Sequence, residues 1–89
     1  LKPNTEDFRN YRARYQIQIN VFENRQLAEA AVQSLKEALN IDTRVFGMEN
    51  GLYYVQVSEI FNSFRDANAL ARRLADRGSE PVIYLLEYP

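Results

Sequence analysis

The sequence predicts an α+β fold in the order β-α-β-β-α-β, with a four-stranded antiparallel sheet and two helices on one face. Three observations predict it. An alternating strand pattern occurs twice, as Tyr15-Gln16-Ile17-Gln18-Ile19 and as Tyr53-Tyr54-Val55-Gln56-Val57. Each copy is followed by apolar residues at helical spacing. Between the halves, Met48-Glu49-Asn50-Gly51 reads as a hairpin turn.

Residues 1–13 have no counterpart elsewhere in the chain. This polar stretch, with Phe8 and Tyr11 interspersed, is read as the end of a linker or a short helix packed on the domain, and the domain proper as residues 14–89. In the first strand Ile17, Ile19 and Val21 are expected on one side, and Gln16, Gln18 and Asn20 on the other. Asn24 suits the N-cap of a helix whose inner stripe is Leu27, Ala31, Leu35 and Ala38. Asn40 falls where that helix needs a left-handed residue to stop. Val45 and Phe46 lie in the second strand. In the third, Val55 and Val57 oppose Tyr54, Gln56 and Ser58. A β-bulge at Ser58–Glu59 is expected to restore the phase and bring Ile60 inward. Ser63 with Asp66 resembles a capping box for a helix buried through Phe64, Ala67, Leu70, Ala71 and Leu74. Gly78 ends it, and "VIYLLEY" supplies the last strand.

The two halves match element by element. Tyr15 aligns with Tyr53, Gln18 with Gln56, Ala28 with Ala67, Leu35 with Leu74 and Phe46 with Tyr84. Matching through three elements points to an internal duplication. Right-handed crossovers then give a ferredoxin-like or RNP-like sheet, with the two glutamine-bearing strands as central neighbours and both glutamines on the helix-free side.

Bulk composition removes several functions. A chain of 89 residues makes one domain. Its 11 basic and 12 acidic residues leave no cationic excess for phosphates, which argues against nucleic acid. No apolar run approaches the roughly 18 residues of a membrane helix. The absence of cysteine and histidine removes thiol chemistry, the usual structural zinc sites and the commonest general base. The carboxylates Asp42, Glu49, Glu59, Asp66 and Glu87 form no evident acid–base pair, and three glycines build no phosphate loop. The chain reads as non-enzymatic and free of cofactors and metal. Opening on Leu1 is expected of a piece excised from a longer protein.

Tyr15-Gln16-Ile17-Gln18-Ile19 with Phe22, Ala28 and Leu35, then Tyr53-Tyr54-Val55-Gln56-Val57 with Ala67, Leu70, Leu74 and Gly78, resembles a SPOR domain, the sporulation-related repeat of bacterial envelope proteins. The resemblance covers about residues 14–87. It implies a non-catalytic module that binds septal peptidoglycan, on glycan strands stripped of stem peptides, and so directs a parent protein within the cell envelope; the module is expected to be monomeric. By position, Gln18 corresponds to the glutamine of the family's first-strand motif, Tyr53 or Tyr54 to an aromatic opening the third strand, and Tyr84 to one on the last. The chain departs from the pattern at Asn20-Val21, where the family has Gly-Ser, and at Ser58-Glu59-Ile60, where it has a Gly-Pro turn.

The expected ligand face therefore carries Gln16, Gln18, Asn20, Tyr54, Gln56 and Ser58, with Tyr53 at its edge, Tyr84 on the last strand, and Arg44, Phe46 and Val82 flanking. Amides exchange hydrogen bonds with sugar hydroxyls and N-acetyl groups, and aromatic rings cover apolar sugar faces. The plain alternative is that these residues are the wet side of an antiparallel sheet. Tyr84 suits packing as well as contact. Arg72, Arg73 and Arg77 read as a solvated helix face. Two other functions fit the same fold. One is protein docking through the sheet face or an edge strand. The other is RNA binding, against which stands the lack of a basic-aromatic motif on the central strands.

Overall fold

The structure, a computed structural model, describes residues 12–88. The elements run β1 (Arg12–Phe22), α1 (Arg25–Leu39), β2 (Thr43–Gly47), β3 (Tyr53–Val57), α2 (Phe64–Asp76) and β4 (Val82–Tyr88). All strand pairs are antiparallel, in the spatial order β2-β3-β1-β4. This is the ferredoxin-like α+β arrangement that alternation and crossover handedness predict. Strand β1 starts two residues before the expected boundary at residue 14; the remainder of the expected linker lies outside the described residues.

Local chemistry sets the helix ends. Asn24 Oδ1 accepts from the Leu27 N–H at 2.9 Å, and Ser63 Oγ from the Asp66 N–H at 3.0 Å. Each bond satisfies an amide that the first helical turn leaves without a partner. At the C-termini Asn40 adopts φ 55° and Gly78 φ 91°, the left-handed geometry predicted for both. In the hairpin the Met48 N–H donates to Leu52 O at 2.8 Å, and Gly51 turns with φ 84°.

The core lies between the sheet and the helices. Ile17, Ile19, Val55 and Val57 meet Ala28 and Leu35 of α1, Ala67, Ala71 and Leu74 of α2, and Phe61. Ile17, Leu74, Val55 and Val57 are fully enclosed, each contributing about 1.5–3 kcal/mol by transfer from water. The inner stripe of α1 is rotated from the expected one. Ala28, Ala31, Val32, Leu35 and Leu39 face the core, while Leu27 is 51% exposed and Ala38 is exposed. A stripe through 27, 31, 35 and 38 would sit on the flank of the helix, and small Ala28 is what permits close approach to the sheet.

Two irregularities reposition side chains. Gln18 pairs with Gln56 but Val21 pairs with Tyr54, so β1 carries one extra residue at Ile19–Asn20. This bulge, in the first strand, comes in addition to the irregularity expected at Ser58–Glu59. It turns Val21 outward, correcting the expected alternation, and lets Phe22 pack on the core beside Ile19. At Ser58–Ile60 the chain makes a larger excursion. It advances five residues between Gln56 and Phe61 while β1 advances three from Gln18 to Tyr15. Phe61, bonded to Tyr15 through both backbone groups, enters the core in place of the expected Ile60, which is 37% exposed.

Candidate functional site: the helix-free sheet face

Antiparallel pairing places partners on one face, so the register defines the surface opposite the helices. One row crosses all four strands as Arg44, Gln56, Gln18 and Val82. A second row on one side holds Phe46, Tyr54 and Val21. On the other side lie Gln16 with Tyr84, then Arg14 with Leu86. Gln18 and Gln56, which align when one half of the sequence is laid on the other, are direct cross-strand partners. Arg44 and Val82, like Phe46 and Tyr84, occupy equivalent places at the two ends.

The surface is wet and partly apolar. Val21, Val82 and Tyr84 are 48%, 46% and 45% exposed. No helix covers Gln18 or Gln56, both of which are half-buried among their neighbours. Phe46 and Tyr54 stack with centroids 5.2 Å apart and planes 15° from parallel. That spacing matches the distance between cross-strand neighbours, so the rings lean on each other as a ridge rather than lying flat on the sheet. The Arg44 guanidinium lies 5.5 Å from the Phe46 ring centre. The result is a shallow trough crossing the strands. Amides form its floor, the Phe46–Tyr54 ridge one wall, and Tyr84 with Gln16 the other.

Five of the expected site residues come together here: Gln16, Gln18, Tyr54, Gln56 and Tyr84. Three do not. Asn20 sits at the bulge and accepts a hydrogen bond from the Glu80 N–H at 2.7 Å, tying the approach to β4 down to β1. Tyr53 packs on the core beside Phe22, because two successive strand residues face opposite ways. Ser58 lies beyond β3, donates its N–H to Asp42 O, and lines a groove of about 550 Å³ with Glu59, Phe61 and Arg73 at the end of the sheet. Arg44 and Phe46 flank the face on the outer strand β2, as expected, while Val21, expected on the core side, joins the face beside Tyr54. The odd spacing of Ile19 and Phe22 was the signal for Val21, since both can be buried only if the strand phase breaks between them. At the end of α2, Arg73, Arg77 and Arg72 line three different grooves on the helix side of the sheet.

Among the described residues, no group of three or more carboxylate, histidine or cysteine side chains is placed to hold a metal. No helix among the described residues is long and apolar enough to cross a membrane.

Protein-family models and curated protein sequences give no match to the chain. Among solved structures it is similar to the solution structure of the peptidoglycan-binding domain of the B. subtilis cell wall lytic enzyme CwlC. The two are 29% identical, with a TM-score of 0.64, over 97% of this chain and 99% of that one.

Proposed function

We propose that this protein is a non-catalytic peptidoglycan-binding module of the SPOR type, built from two copies of one β-α-β unit. It takes glycan strands lacking stem peptides across the helix-free sheet face and directs a parent protein to the wall or septum of the bacterial envelope. The observation that carries this reading is the end-to-end likeness to a peptidoglycan-binding domain at 29% identity. The trough chemistry supports it. Gln18 and Gln56 offer two donors and an acceptor each at the pseudo-symmetric centre, where sugar hydroxyls and N-acetyl groups need both. Tyr84, Val21 and the edges of the Phe46–Tyr54 ridge offer apolar surface to sugar rings. The departure from the family pattern at Asn20 leaves the trough intact, since Asn20 serves the Glu80 loop.

Sedimentation with purified sacculi, before and after amidase treatment, tests the reading. Binding is expected to rise when stem peptides are removed and to fall several-fold for Gln18→Ala. Equal indifference to both preparations would transfer the face to a protein partner. Binding to RNA that collapses steeply with salt would transfer it to nucleic acid.

A further inference from the structure

Removing a stem peptide does more than uncover the sugars. Hydrolysis of the amide joining the peptide to the lactyl ether leaves that ether with a free carboxylate, so each stripped muramyl residue gains a negative charge at a fixed place on the ring. A face that prefers stripped strands can read this charge as well as the absence of bulk.

Arg44 is the described cation best placed to do so. It ends the amide row, directly across from Gln56, and is exposed to solvent. Its guanidinium is steadied over Phe46 at 5.5 Å, and Phe46 is in turn held by Tyr54, so less side-chain freedom is lost when it engages an anion. No carboxylate stands in the cross-strand rows that run from Arg44 to Val82 and from Phe46 to Val21. The nearest in sequence, Asp42, is turned to α1 and held by Lys36 at 2.9 Å, and Glu59 lines the groove beyond β3. On β1, Arg14 is paired with Leu86, two rows away from the amide row, and its Nε is shielded from solvent. At the pseudo-equivalent end stands apolar Val82. The trough therefore has a cationic end and an apolar end, about three interstrand spacings of 4.8 Å apart.

We infer that Arg44 is a specificity-determining residue which pairs with the free lactyl carboxylate of a stripped glycan strand and seats the strand in one direction across the sheet. This rests on the glycan reading above and deepens it. Arg44 adds discrimination, while the amides and aromatic edges supply affinity common to any strand that fits.

The test uses soluble glycan oligomers released from amidase-treated sacculi, and the same oligomers after coupling of their carboxylates to methylamine, which restores a small neutral amide without a peptide. The wild-type protein is expected to bind the carboxylate form about tenfold more tightly than the methylamide form. Arg44→Gln is expected to bind the two forms equally, and Arg44→Lys to keep part of the preference. If the wild type binds both forms equally well, the inference fails while the glycan reading stands. If it binds neither, the glycan reading itself fails. If Arg44→Gln folds and keeps the full preference, another group reads the charge and the assignment to Arg44 is wrong.

Discussion

At the residue scale, side chains that look equivalent in the sequence divide into site and scaffold. Gln18 and Asn20 are two apart on one strand, yet the bulge between Gln18 and Val21 gives them different work. Gln18→Ala is expected to weaken sedimentation with amidase-treated sacculi and leave the melting temperature nearly unchanged. A large loss of stability would instead make Gln18 a structural amide. Asn20→Ala is expected to do the reverse. Losing the bond to Glu80 costs about 1 kcal/mol, read as a lower urea midpoint, with sedimentation unaltered. Tyr54 differs from both, because it belongs to the trough wall and also supports Phe46. Tyr54→Ala should therefore lower binding and cost stability together, at about 0.5–1.5 kcal/mol for the lost ring pair beyond the lost burial.

At the element scale, caps and stops were the most legible features. Asn24, Ser63, Asn40 and Gly78 all act where the sequence placed them, because a cap depends on residues within one turn of itself. Asn24→Ala and Ser63→Ala should each cost about 1 kcal/mol, and the double variant about the sum, since the two caps share no partner. Denaturant midpoints of the three variants check this. Helix rotation and strand irregularities were less legible. Leu27 and Ala38 satisfy a helical period as well as Ala28 and Leu39 do, and only the sheet beneath selects between the two stripes. The odd interval from Ile19 to Phe22 was a visible signal of a phase break. By contrast, the irregularity expected at Ser58–Glu59 was located by its phase but not its length: the excursion runs through Ile60 and delivers Phe61 to the core.

At the scale of the whole molecule, the sheet divides labour between its faces. One face holds nearly all the enclosed apolar surface, and the other is left for contact. Leu74, fully enclosed beneath α2, belongs to the first. Leu74→Ala should cost about 2–5 kcal/mol, a large part of the 5–15 kcal/mol typical of a domain. Any loss of sedimentation by this variant should follow its unfolded fraction. A binding defect in fully folded Leu74→Ala protein would show instead that the helix side takes part in recognition.

What the sequence determined by itself was the element order, the sheet topology, the helix ends and the amide character of the two central strands. Period, capping and crossover handedness are local or nearly local rules, and one chain carries all they need. Only the tertiary structure decided which residues share the trough: that Phe46 leans on Tyr54 with Arg44 above it, that Val21 faces outward, and that Asn20, Tyr53 and Ser58 stand elsewhere. Those outcomes depend on register between strands distant in the chain, and a single extra residue in one strand exchanges its faces.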